Sequence, residues 1–328
     1  MKYYLAPLEG ITGHIYRNAL EKYFPGTDRY FTPFIAPDQN KILRTKERRD
    51  VLPENNRVKT LIPQILTNNP QHFLITADAL KDMGYKEVNL NLGCPSGTVV
   101  SRNKGSGFLA YPEELDRFLE QIFEKTPVRI SIKTRIGRED DSNAFRLMEI
   151  YAKYPLSELI IHPRTQKDFY RGIPNRELFQ KLAEYYREQN GNSPVCYNGN
   201  LLTAQDYSKF ADEFPWVDAV MLGRGVIANP GLICQLRTGK TTDKRTLRAF
   251  HDEVLEGYRE IFSDDKNAMF RMKEMWIYMI HLFTDRERYK KKIHKAQSLT
   301  EYRCAVDALF REQEILPEGP VQWNLPQR

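Results

Sequence analysis

Seven consecutive residues, Asn89-Leu90-Asn91-Leu92-Gly93-Cys94-Pro95, join an alternating apolar and polar run to a glycine, a thiol and a proline. A strand that stops in this way holds its last polar side chains over a rim, where a ligand can reach them. Gly105-Ser106-Gly107 follow the thiol and are expected to form a turn loose enough to move. A cysteine on a mobile loop beside a strand-end asparagine points to chemistry rather than packing. Such a thiol serves as a proton donor if it is held neutral, or as a nucleophile if it is held as thiolate.

The elements that must position it recur along the chain. Strands are expected at residues 3–7, 30–35, 59–65, 87–92, 129–135, 158–162, 194–198 and 218–222. Helical spacing lies between them. Phe73, Ala77, Leu80 and Met83 form one stripe, stopped by Gly84, and Leu115, Phe118, Leu119 and Ile122 form another, entered through Pro112. Alternating strands and helices imply parallel pairing with crossovers. Eight strands suit an α/β fold of the (β/α)8 TIM-barrel type. A doubly wound open sheet is the alternative, but Glu9-Gly10-Ile11-Thr12-Gly13 after the first strand is not a dinucleotide fingerprint. After Gly239 the strand signals stop. The expectation is a catalytic barrel over 1–238 and a C-terminal all-α helical bundle domain over 239–328, with Trp276–Ile280 in its core and an irregular tail after Leu316.

The bulk numbers narrow the class. The 328 residues carry 49 Lys+Arg against 43 Asp+Glu, a mild bias toward anionic partners. No apolar run approaches the ~18 residues of a membrane helix. The first residues turn polar too soon for a signal peptide, so a cytoplasmic protein is expected. Cys94, Cys196, Cys234 and Cys304 lack metal-clip spacing, so neither zinc nor disulfides are expected, and the last three are read as mostly buried thiols.

Barrel chemistry sits at the C-terminal ends of strands. Those ends here read Pro7-Leu8-Glu9, Gln64, Asn91 with Cys94, Lys133 with Arg135, His162 with Arg164, Asn198-Gly199-Asn200, and Gly223-Arg224-Gly225. Taken singly each has an ordinary structural explanation; the joint pattern carries the reading. It suits a flavin mononucleotide. The last two segments offer glycines, amides and a guanidinium to a phosphate, Gln64 matches a pyrimidine edge, and Lys133 places a cation where negative charge gathers on reduction.

These residues resemble the tRNA-dihydrouridine synthases. The resemblance is carried by Val88–Pro95 with Val99 and Gly105-Ser106. Leu5–Gly10, Gln64, Ser131–Gly137, His162-Pro163-Arg164-Thr165, Asn198-Gly199, Met221–Gly225 and Arg271-Met272-Lys273 add to it. It implies an FMN barrel with a helical RNA-binding domain that reduces tRNA uridine to 5,6-dihydrouridine and is recharged by NADPH. By that resemblance Pro7, Leu8, Glu9, Gln64, Lys133, His162, Asn198, Gly199, Asn200, Gly223 and Arg224 contact FMN. Asn91 holds the uracil, and Cys94 donates the proton to C5 after hydride reaches C6. Three positions depart from the pattern: Leu8 replaces a usual methionine, Asn200 replaces a common acid, and Phe108 stands where a small residue is frequent.

RNA contacts are expected from basic side chains. Arg102, Lys104, Arg135 and Arg164 are read as ringing the mouth, and Lys273 belongs to the second domain. Arg286–Lys295, with Lys290, Lys291 and Lys292, reads equally as a phosphate-binding stretch or a solvated helix face. Arg44, Lys46, Arg48 and Arg49 read as a solvated helix. A monomer acting on tRNA is the leading reading; an FMN oxidoreductase of a free pyrimidine is the alternative.

Overall fold

The computed structural model describes residues 1–262 and 264–316; the tail after Leu316 lies outside the described residues. Nine strand segments form one sheet: β1 (Lys2–Leu5), β2 (Arg29–Phe31), β3 (Leu61–Ile62), β4 (Gln64–Ile65), β5 (Glu87–Leu92), β6 (Arg129–Arg135), β7 (Leu159–His162), β8 (Val195–Tyr197) and β9 (Ala219–Leu222). All pairings among them are parallel, in the order β3-β2-β1-β9-β8-β7-β6-β5-β4. The expected third strand is interrupted at Pro63, which has no N–H for a ladder. Its first half pairs with β2 and its second with β5, while the Pro63 carbonyl accepts from Asn89 N at 2.8 Å. One chain segment thus bridges the two ends of the sheet and closes an eight-stranded TIM barrel.

The helices on the barrel are α1 (His14–Tyr23), α2 (Thr45–Val51), α3 (Pro70–Asp82), α4 (Gly97–Val100), α5 (Pro112–Lys125), α6 (Ala144–Ala152), α7 (Arg176–Glu188), α8 (Ala204–Glu213), α9 (Arg224–Ala228) and α10 (Leu232–Thr238). Both stripes read from the sequence are helical. Asn69 caps α3 by accepting from His72 N, and Gly84, at φ +96°, turns the chain out of it.

Alternation along the strands sorts the side chains. Leu90, Ile132, Ile161 and Val220 face the helices in the larger core. Tyr4, Ala6, Phe31, Ile62, Ile160, Cys196 and Met221 pack inside the cylinder. The same parity turns Gln64, Asn89, Asn91, Ser131, Lys133 and His162 inward. At the opposite end Glu87 and Glu158 are buried, with Arg29 Nη1 at 2.9 and 3.4 Å from their oxygens.

Helices α11 (Lys244–Ile261), α12 (Asp265–Met279), α13 (Glu287–Lys295) and α14 (Leu299–Glu312) form the C-terminal helical region. Phe250 of α11 packs edge-on against Tyr16 of α1, with centroids 5.4 Å apart. Trp276 is buried and donates to Tyr302 Oη at 2.7 Å, as expected of a core residue. No described helix is long and apolar enough to cross a membrane. The expectation of buried thiols fails for two of three: Cys196 is buried, Cys234 is half-buried and Cys304 is exposed, because α14 turns residue 304 away from Tyr302 and Val306.

Candidate active site

The inward side chains at the tops of β4, β5 and β6 form a relay whose polarity has a single origin. Asn91 Oδ1 accepts from the backbone N–H of Gly93 at 3.0 Å and of Cys94 at 2.9 Å. The oxygen of that amide is thereby committed, so Nδ2 faces Gln64 and donates to Oε1 at 2.7 Å. Gln64 Nε2 donates to Asn89 Oδ1 at 2.8 Å, and Asn89 Nδ2 to Ser131 Oγ at 2.9 Å. Every amide is buried. The turn that presents Cys94 therefore sets the orientation of three amides on two strands, ending at the Ser131 hydroxyl of a third.

Cys94 is half-buried. Burial raises its thiol above the ordinary value, against smaller lowering effects from the Ser96 amide, Arg135 and Lys133. It is a neutral thiol at physiological pH. The loop after it is not loose, contrary to the expectation from its glycines. Gly105 to Leu109 are buried in a 3-10 turn. Ser106 Oγ donates to the Cys94 carbonyl at 2.7 Å. Gly105 sits at φ +57°, and a Cβ there would lie 2.9 Å from the Cys94 carbonyl oxygen. The glycines permit close packing rather than motion. Phe108 is buried edge-on against Phe118 of α5, which seats the bulk of that position in the core.

A cluster of cations lies on the neighbouring strand ends. Lys133 is half-buried and its ammonium is pushed down to about 8, by burial first and then by Arg135. Arg224 Nη2 donates to Asn200 Oδ1 at 2.8 Å, and Arg164 Nη1 reaches the same oxygen at 3.2 Å. The neutral amide at position 200 thus joins two guanidinium groups without cancelling either. The Tyr170 ring lies against Arg224 and Arg135, its centroid 4.5 Å from the first guanidinium and 5.5 Å from the second. Among the described residues no carboxylate stands within ion-pair distance of Lys133, Arg135, Arg164 or Arg224. His162 is buried among them, and burial followed by Arg135 and Lys133 drives its imidazolium well below the ordinary range.

The remaining candidates separate into those at the mouth and those used for support. Pro7 and Leu8 are half-buried after β1, where Leu8 N donates to Thr12 Oγ1 at 2.7 Å; Glu9 is exposed and pairs with Lys46. Asn198 is buried and donates to the Met221 carbonyl, while Gly199 lies where a Cβ would strike the Tyr197 ring. Gly223 precedes α9, and a Cβ there would meet Ala6 at 3.4 Å and Leu8 at 3.5 Å. Arg102 is exposed and Lys104 half-buried on the cysteine loop. Arg135 and Arg164 do not ring the mouth as free cations. Arg135 is buried and donates to the carbonyls of Gly93, Thr165 and Phe169; Arg164 is buried and donates to those of Arg171 and Gly172. Lys273 is also buried, its Nζ on the carbonyls of His294 and Ala296 at the end of α13. Lys290 is half-buried, and Lys291 and Lys292 are exposed on the face of α13 away from Tyr289 and Ile293. Sequence reading missed Asn89, which strand alternation two positions before Asn91 could have found, and Tyr170, which no periodicity marks.

A family model described as dihydrouridine synthase (Dus) matches residues 4–314. The tRNA-dihydrouridine(16) synthase of Aquipseudomonas alcaligenes is 29% identical over 244 residues, 72% of this chain and 75% of that protein. A probable tRNA-dihydrouridine synthase of Staphylococcus epidermidis is 26% identical over 230 residues, 69% of each. Among solved structures, morphinone reductase superposes with a TM-score of 0.52 at 15% identity, over 75% of this chain and 88% of that one, a likeness of fold alone. Since the family model spans the barrel and the helical region together, the chain belongs to the dihydrouridine synthase family.

Proposed function

We propose that this chain reduces uridine in tRNA to 5,6-dihydrouridine, with FMN as its redox group and NADPH as reductant. Family membership supports the reaction class. The observation that carries the assignment of parts is Cys94, its thiol kept protonated by burial and its backbone held by Asn91 and Ser106, beside a group of cations without carboxylate partners.

The residues present suit the cofactor. Lys133 and Arg224 lack carboxylate partners and gain from a bound anion. Gly223, Gly199 and Asn200 offer backbone and amide donors close to Arg224, and Asn198 fixes that turn. Gln64, with Oε1 on Asn91 and one N–H on Asn89, keeps a second N–H for a pyrimidine edge, and Pro7, Leu8 and Glu9 border the same mouth. When bound, FMN supplies the hydride that reaches C6 of the uracil.

The chain's own residues do the rest. Asn91 spends its oxygen and one N–H inside the protein, which leaves a single N–H for the base. Cys94 gives its proton to C5 as negative charge develops there, and its raised pKa keeps that proton in place until then. Lys133, a cation without a carboxylate partner, stabilises that charge, and His162 offers an N–H. Arg135 and Arg164 hold the surrounding loops, and Lys273 holds α13; all three are positioning residues. Arg102, Lys104, Lys290, Lys291 and Lys292 are the exposed or half-exposed candidates for phosphate contact. The uracil must leave its stack, which favours loop uridines over paired ones.

The test is Cys94→Ala. Uridine reduction should fall by ~10²-fold or more, while NADPH still bleaches the bound flavin at the wild-type rate. Dihydrouridine formed at near wild-type rate by C94A would sink the acid assignment.

A further inference from the structure

A cavity of about 400 Å³ lies between the barrel and the helical region. One wall is the end of α11, with Tyr258 and Phe262, and Arg271 of α12. The opposite wall is the turn into α1, with His14, and α2, with Lys46 and Arg49. None of the strand-end residues of the candidate active site lines it. It begins at Gly10, one residue beyond Glu9, and Lys46 joins the two places by pairing with Glu9. The volume falls in the range of small-molecule sites, ~300–1,000 Å³.

Its chemistry is that of a nucleotide site. The Tyr258 and Phe262 rings lie within 20° of parallel, with centroids 6.1 Å apart, and form an aromatic wall. Both are only half-buried. Arg49 also lines the space, and its guanidinium has no hydrogen bond or ion pair among the described residues. The other wall carries an unused ring nitrogen. Asp50, held below the ordinary carboxylate range, accepts from His14 N at 2.7 Å and from His14 Nδ1 at 3.0 Å. An ionised carboxylate only accepts, so Nδ1 carries a proton, and Nε2 is the ring nitrogen left to meet a ligand. That nitrogen has no partner among the described residues. An aromatic face, a free guanidinium and a ring nitrogen able to hydrogen-bond a base edge together match a base and its phosphate.

We propose that this cavity takes a second extruded nucleotide of the RNA substrate. Its base stacks on Phe262 and Tyr258, a polar edge of the base meets His14 Nε2, and its phosphate lies on Arg49. The inference rests on RNA being the substrate. Holding one nucleotide here while another enters the barrel mouth fixes the span between them, so the cavity helps select which uridine reaches Cys94.

The test uses the full-length flavoprotein and an unmodified tRNA transcript. Phe262→Leu keeps apolar volume and removes the stacking face; Arg49→Gln removes one free charge. Phe262→Leu should raise the KM for tRNA about tenfold with kcat within about twofold of wild type, and Phe262→Trp should restore it. Arg49→Gln should make the salt dependence of binding shallower by about 0.7 in log–log slope, one phosphate contact on a single strand. Flavin reduction by NADPH should be unchanged in all three. If the wild type reduces uridine in tRNA and both Phe262→Leu and Arg49→Gln match it in KM and salt slope, the cavity is a packing space and this inference falls alone. If the wild type neither binds nor reduces tRNA, the proposed function falls, and this inference with it.

Discussion

Arg164 Nη1 stands 3.1 Å from His162 Nε2. A guanidinium only donates, so Nε2 accepts and the imidazole proton sits on Nδ1. The ring is neutral and offers one N–H, fixed in orientation by a side chain two residues along the same strand end.

His162 should therefore stay neutral across the range in which a free histidine titrates. Its folded pKa lies well below the ordinary 6.5, by burial first and then by Arg135, Lys133 and Arg164. The sign follows: the unfolded chain binds the proton more readily. Stability from this residue is complete above about pH 6.5 and is lost as pH falls toward the folded value. The His162 ring signal in NMR should not move between pH 8 and pH 6. A midpoint near 6.5 would refute the buried neutral assignment.

Asn91→Asp tests the relay. The aspartate oxygen can still accept from Gly93 N and Cys94 N, but its second oxygen faces Gln64 Oε1, an acceptor placed at 2.7 Å from the nitrogen it replaces. Turning Gln64 over moves the conflict to Asn89 Oδ1, and turning Asn89 as well moves it to Ser131, whose hydroxyl must then donate to Asn89 in place of the Val88 carbonyl. The variant should lose about 1–3 kcal/mol of stability for the buried carboxylate and the rearranged relay. Asn91→Ala should also free the Cys94 turn, so alkylation of Cys94 at fixed pH should quicken in the alanine variant. Thermal unfolding and iodoacetamide kinetics read the two effects separately.

Much of this site was legible because strand alternation is a hard constraint. Once β5 and β6 are placed, parity alone sends Asn89, Asn91, Ser131 and Lys133 into the cylinder. The break at Pro63 was open to the same reasoning, since a proline cannot serve a central ladder, yet its role in joining β2 to β5 needs the closed sheet. Arg135, Arg164 and Lys273 were illegible for a different reason. Each spends its charge on backbone carbonyls, of Gly93 and Thr165, of Arg171 and Gly172, and of His294 and Ala296. A carbonyl leaves no mark in residue type, so a buried cation and a surface cation look alike in the chain. The glycines after Cys94 misled similarly, because close packing and looseness both call for a missing side chain.

Glu158, at the end of the barrel away from Cys94, should make stability depend on pH. Burial raises its carboxyl to about 7, although the Tyr4 hydroxyl and Arg29 pull the other way. A folded pKa above the unfolded 4.5 means that the folded state holds the proton more tightly. The contribution is complete below about pH 4.5 and is lost as pH rises through about 7, a change on the order of 3 kcal/mol. Glu158→Gln should flatten that part of the profile and leave Arg29 on Glu87, which it meets at 2.9 Å. Melting temperatures at pH 5, 6, 7 and 8 for the two proteins provide the comparison; parallel curves would reject the assignment.

Lys273 and the lysines of α13 should separate cleanly. The buried Lys273 ammonium satisfies two carbonyls at a helix end, where a cation also meets the negative pole of the dipole. Lys273→Met should cost about 1–3 kcal/mol through those carbonyls, while its effect on tRNA affinity at a temperature where the variant is folded should be small. Lys291→Glu and Lys292→Glu reverse charges on an exposed face that contributes little to folding. They should leave the melting temperature within about a degree or two, weaken tRNA binding, and flatten its decline between 50 and 200 mM salt. If Lys273→Met instead abolished binding with no loss of stability, the lysine would be touching RNA. If the α13 reversals left the salt slope untouched, that face would be solvated and nothing more.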